Sequence, residues 1–89
     1  MPGKNYIRTG VEELVRRDNN GIHVSLLWNR ADDSLKVVVF DSSTDTAFEL
    51  PVGDASPLDV FEHPYAYAAF RHVDSEPARE LLATEVVAA

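Results

Sequence analysis

Eighty-nine residues, 45% of them hydrophobic and 26% charged, describe one small folded domain rather than a disordered chain or two separate cores. The absence of cysteine excludes disulfides, thiolate zinc sites, iron–sulfur clusters and cysteine nucleophiles. Eight basic against fifteen acidic residues give a formal charge of −7 with no Lys/Arg cluster, which argues against nucleic acid or an anionic membrane surface as a partner.

The first residues (Met1, Pro2, Gly3, Lys4, Asn5) have no signal-peptide core, and no apolar run approaches the ~20 residues a bilayer span needs. A soluble, cytoplasmic protein is expected. Residues 11–18 support two readings. Thr9-Gly-Val-Glu12 has the form of a capping box, and Val11, Leu14 and Val15 follow at helical spacing. Asp18-Asn-Asn-Gly21 is instead a tight-turn signal leading straight into an apolar segment. A first strand over 11–18, turning at Asn19–Asn20, would pair Val15 with Val24 and Val11 with Trp28. Its one mismatch is Glu13 opposite Leu26.

Three strand-like segments follow at 22–28, 35–41 and 46–52, rich in β-branched and aromatic residues and separated by polar turns. Setting Trp28 opposite Leu35 aligns Leu26 with Val37 and Val24 with Val39. Setting Asp41 opposite Thr46 aligns Val39 with Phe48, Val37 with Leu50 and Leu35 with Val52. Both registers gather the same apolar face, and a slip of one residue would turn that face to solvent.

After Gly53 the pattern changes to helix. Ser56-Pro57-Leu-Asp59 reads as N-cap, N1 and N3, and the helix about 57–70 should stop or kink near His63 because of Pro64. A second start signal at Asp74–Pro77 precedes Ala78, Leu81, Leu82 and Val86 on one helical face. Residues 74–89 are therefore a C-terminal helical segment or a loosely held tail beside a domain at 1–73. The predicted fold is α+β: a three- to four-stranded antiparallel β-meander followed by one or two C-terminal helices.

Two places concentrate chemistry. Asp59 and His63 lie four apart, so an unbroken helix would put carboxylate and imidazole on one side, with Tyr65 and Tyr67 nearby. The plainer expectation is that His63 fills the pre-proline bend, Phe61 and Phe70 seal the helices onto the sheet, and the tyrosines sit at the rim. The second place is the other face of the sheet. It carries Leu14, Leu27, Val38, Phe40 and Ala47 beside His23, Ser25, Lys36 and Glu49, too apolar for a face left open to water. Trp28 reads as packing. The aspartates of the two hairpin loops read as solvated turn residues, with weak Ca²⁺ binding as the lesser option.

The segment from His23 to Val52, followed by Leu58–Ala68, resembles an uncharacterised family of small acidic actinobacterial proteins. The likeness rests on Leu26-Leu27-Trp28, Phe48-Glu49-Leu50 and Phe61-Glu-His-Pro-Tyr-Ala-Tyr67, and it implies a bacterial source without bringing a catalytic motif or ligand set. The functional expectation is a small non-enzymatic protein-interaction or regulatory domain, a homodimer or the binder of a protein partner. Val38 and Phe40 are then the contact residues, and no cofactor or metal is expected. The alternative is a small-molecule-binding protein or enzyme using a cleft around Asp59, His63, Tyr65 and Tyr67.

Overall fold

The computed structural model describes residues 10–79. They run β1 (Val11–Asn19), β2 (Ile22–Asn29), β3 (Ser34–Asp41), β4 (Thr46–Pro51), α1 (Pro57–Glu62), α2 (Pro64–Arg71) and β5 (Glu76–Pro77). The strands form one antiparallel sheet in the order β1-β2-β3-β4-β5, an α+β meander with its helices after the fourth strand. No described helix is long and apolar enough to cross a membrane.

The two central registers agree with the sequence. Val24 faces Val39 and Leu26 faces Val37 across β2–β3, while Val39 faces Phe48 and Val37 faces Leu50 across β3–β4. These side chains, with Val52, Val60, Phe61 and Ala68, make the main core. Both helices pack on that one face, α1 against β2 and β3 and α2 against β4.

The first strand is real, but its register differs from the expected one. The β1–β2 turn is Asn20–Gly21, with φ of 51° and 84°, the left-handed pair of a type I′ turn. Asn19 therefore faces Ile22, Arg17 faces Val24 and Val15 faces Leu26, until a β-bulge between Glu13 and Val15 shifts the ladder. Glu13 then lies opposite Leu27, off the core face, which removes the mismatch. Only Asn20–Gly21 supplies the two positive φ angles that a twisted hairpin needs, so turn chemistry overrides the apolar count. Arg17 lies toward the helices: it donates to the carbonyls of Phe61 (2.9 Å) and Glu62 (3.3 Å), and its guanidinium stacks over the Phe61 ring.

The chain breaks between its helices at His63, directly before Pro64, as proline sterics require. Ser56 Oγ accepts from the N–H of Asp59, so the expected N-cap is present. The second helix ends in a Schellman motif. His72 takes φ 60°, its N–H reaches Ala69, and Val73 donates to Ala68 at 2.9 Å. The helix-start signal at Asp74–Pro77 sits later than expected. Glu76 and Pro77 pair with Ala47 and Thr46 as β5, and helical geometry begins at 78. The rest of that predicted helix, residues 80–89, lies outside the described residues.

Substitutions at two left-handed positions should act in opposite directions. Gly21→Ala forces a Cβ into positive φ and to 3.0 Å from Ser42 Oγ, and should destabilise by about 1–2 kcal/mol. His72→Gly relieves the same backbone strain and should stabilise by about 0.5–1 kcal/mol. Urea denaturation of both variants checks the signs.

Candidate functional site

The helix concavity holds three of the residues expected there. Asp59, His63 and Tyr67, with Ala66 and Phe70, line an open hollow of about 340 Å³. Asp59 is not the partner of His63, however: its carboxylate accepts a 2.5 Å hydrogen bond from the Tyr67 hydroxyl. His63 is the C-cap of α1 at φ −129°, and its N–H still closes the helical turn onto the Asp59 carbonyl at 2.9 Å. The spacing thus brings both residues to one hollow, while the Asp59 carboxylate is taken by Tyr67. The His63 side chain is exposed.

Tyr65 is elsewhere, half-exposed, with its ring edge-on to Phe48 at a centroid distance of 5.4 Å. Burial raises its hydroxyl pKa, and the nearby Asp41 carboxylate adds to the effect. Phe70 does not seal the helix layer. It is 83% exposed, because the buried stripe of α2 runs through Pro64 and Ala68 with Tyr67 packed against the core. Arg71 covers the Tyr67 ring and donates to the Pro51 carbonyl.

The other face of the sheet forms the second site. Val38 and Phe40 line a shallow concavity of about 360 Å³ with Glu13, Arg16, His23, Ser25 and Leu27. Strand alternation places His23, Ser25 and Leu27 beside Phe40, Val38 and Lys36 in the β2–β3 register. His23 stacks on Phe40 with centroids 5.5 Å apart, and its Nδ1 donates to the Asp18 carboxylate. That hydrogen bond holds the Asp18 carboxyl below its ordinary range against the cost of desolvation, and Arg16 adds to the lowering. Ser25 Oγ donates to Glu13 at 3.3 Å, and Lys36 pairs with Glu49 at 3.5 Å. Val38 and Ala47 are buried on this face outside the main core, while Leu27 and Phe40 are half-buried.

Alternation alone places His23 and Leu27 in this concavity. The face of Glu13 depends on the bulge, which the sequence does not show, whereas Arg16 lies on the turn side of the bulge and takes the face that alternation gives it. Leu14 falls within the bulge itself.

The hairpin aspartates serve the turns. Asp32 accepts from the N–H (3.1 Å) and hydroxyl (2.6 Å) of Ser34, and Asp41 does the same with Ser43 at 2.9 and 2.6 Å. The serine hydroxyl is the main reason that both carboxyls lie below their usual range. Trp28 is half-buried, with Nε1 donating to Asp33 at 2.8 Å and Arg30 over its ring. No group of three His, Cys, Asp or Glu side chains able to hold a metal ion occurs among the described residues.

No protein-family model, curated protein or solved structure matches the chain.

Two measurements test these assignments. The hydrogen bond to Asp59 raises the Tyr67 hydroxyl above its ordinary value near 10.0. This contact therefore contributes fully below pH 10 and is lost as pH rises through the folded-state value. In a spectrophotometric tyrosine titration, Asp59→Asn should move one phenol transition to lower pH, and an unchanged curve would show that the contact is not formed. Calorimetric titration with Zn²⁺ should give no submicromolar stoichiometric binding. Such binding, abolished by His63→Ala, would reverse the structural assignment of His63.

Proposed function

We propose that this chain is a small non-enzymatic protein-interaction domain that works as a homodimer and offers the open face of its sheet to partner chains. One observation carries the reading: among the described residues α1 and α2 pack on the same face, with Leu27 and Phe40 half-buried around a shallow apolar hollow on the other. A contiguous apolar patch with a polar border is the usual mark of an interaction surface. Glu13, Arg16 and His23 supply that border here. Chain length supports the same reading, since a domain of this size buries only about 60% of its unfolded surface and gains from a partner subunit.

A catalytic or small-molecule cleft around Asp59, His63, Tyr65 and Tyr67 has weaker support. Asp59 is taken up by Tyr67, Tyr65 does not line the hollow, and His63 is left without the carboxylate that would orient it.

Gel filtration with light scattering over a hundredfold dilution range should give about twice the 9.9 kDa chain mass at the concentrated end. A mass of 9.9 kDa throughout would overturn the homodimer. Thermal denaturation tests the open face. Phe40→Ser should cost about 1 kcal/mol or less, against about 3–5 kcal/mol for Phe48→Ala in the core. A core-sized loss at Phe40 would mean that this face is internal packing rather than a binding surface.

A further inference from the structure

The sheet's first edge carries an unusual charge order. β1 reads Glu12-Glu13-Leu14-Val15-Arg16-Arg17, acidic before the centre and basic after it. Two large apolar side chains, Leu14 at 50% and Val15 at 37%, lie exposed between the charges. Among the described residues β1 has one neighbour, β2, and forms the first edge of the sheet, the place where a further strand can pair.

An antiparallel contact between identical strands has a geometric condition. Directly opposed residues share a face of the sheet, so the two-fold axis must pass where a residue meets its own copy. In an unbroken strand both Glu–Arg pairs could not form at once, because the centre of Glu-Glu-Leu-Val-Arg-Arg falls between two residues on opposite faces, and an axis through Leu14 or Val15 matches only one Glu with an Arg. The bulge changes the parity by taking Leu14 out of the alternation. Val15 then points with Leu26 to the helix side, while its effective neighbours Glu13 and Arg16 both point to the open face with Leu27 and Ser25. An axis through Val15 sets Glu13 of each copy against Arg16 of the other.

We propose that two copies join edge to edge through β1, antiparallel about Val15, with reciprocal Glu13–Arg16 pairs across the seam. This inference rests on the homodimer reading and specifies its contact. It gives the dimer one continuous sheet. Because Glu13 and Arg16 also line the open-face hollow, it sets the two hollows side by side as one longer trough. Within each copy their present contacts are exchangeable: Arg16 meets the exposed Asp18 at 3.2 Å, and Glu13 accepts from Ser25 at 3.3 Å.

Charge reversal tests both register and occupant on the full chain. Glu13→Arg and Arg16→Glu each put like charges across the seam twice, and each should weaken self-association about tenfold or more in light scattering. Mixing the two variants one to one restores opposite charges at both positions and should regain the dimer mass. If either variant fails to fold by circular dichroism, the double variant Glu13→Arg/Arg16→Glu is self-complementary in this register and should dimerise like the wild type. A wild type that is monomeric at every dilution overturns the homodimer and this contact together. A dimeric wild type whose charge variants dimerise unchanged, or whose mixture or double variant stays monomeric, overturns the edge contact alone. So does loss of the dimer in Phe40→Glu with no loss in the charge variants, which would place the second copy on the open face.

Discussion

Because Val39 faces Val24 on one side and Phe48 on the other, and Val37 likewise faces Leu26 and Leu50, two hairpins must keep register at once for this core to exist. A slip of one residue in either ladder would carry its half of the set to the opposite face. At about 1.5–3 kcal/mol for each large side chain, the six residues together represent on the order of 10 kcal/mol, comparable with the whole stability of a typical domain. Neither hairpin loop needs glycine to hold this arrangement. Asp33 and Asp45 adopt φ of 58° and 57°, a conformation that aspartate tolerates better than most residues. The Asp–Ser bonds at Ser34 and Ser43 fix the remaining geometry of the turns.

The position of everything else follows from which face that column occupies. Val60 and Phe61 pack over it from α1 and Ala68 from α2, so both short helices are committed to one layer. Arg17 ties the edge strand to the same layer through the last carbonyls of α1, which a helix terminus leaves without intrahelical donors. Among the described residues neither α1 nor α2 reaches the opposite face. Leu27 and Phe40, on that opposite face, are half-buried without either helix over them.

This explains which parts were legible in the sequence. The β2–β3–β4 registers were readable because period-two alternation and burial point to the same pairing, and every residue in the column has an apolar partner. The break at His63 was readable because Pro64 admits little else. The β1 register was not, since counting apolar matches favoured an Asn19–Asn20 turn while backbone conformation required Asn20–Gly21. A bulge leaves no mark in an apolar pattern, so the face of Glu13 was hidden with it. Phe70 shows a related failure. Size suggested a core residue, but the helical stripe starting at buried Pro64 turns it outward, and nothing in Tyr65–Phe70 alone fixes that phase. Of the candidate residues, Val38 and Phe40 fall together as alternation implies. Asp59 and His63 line one hollow without pairing, and Tyr65 is separated from them.

A chain carrying −7 has to overcome repulsion from its own copy, which makes the location of neutral surface a physical question. At physiological ionic strength charges are screened beyond about 8 Å, so association is decided by what meets at the contact rather than by the total. β1 holds Arg16 and Arg17 beside Glu12, Glu13 and Asp18, close to balance on a strongly acidic molecule. The hairpin tips, in contrast, gather Asp32, Asp33, Asp41 and Asp45. A second copy approaching those tips meets like charge, while one approaching β1 meets a nearly neutral strand with Val15 exposed at its middle. Bulges and charged residues ordinarily protect a sheet edge by preventing regular pairing. Here the same devices act selectively: they disfavour an arbitrary strand and leave one antiparallel register in which the charges answer each other, so protection of the edge and specificity for a second copy come from the same inserted residue, Leu14.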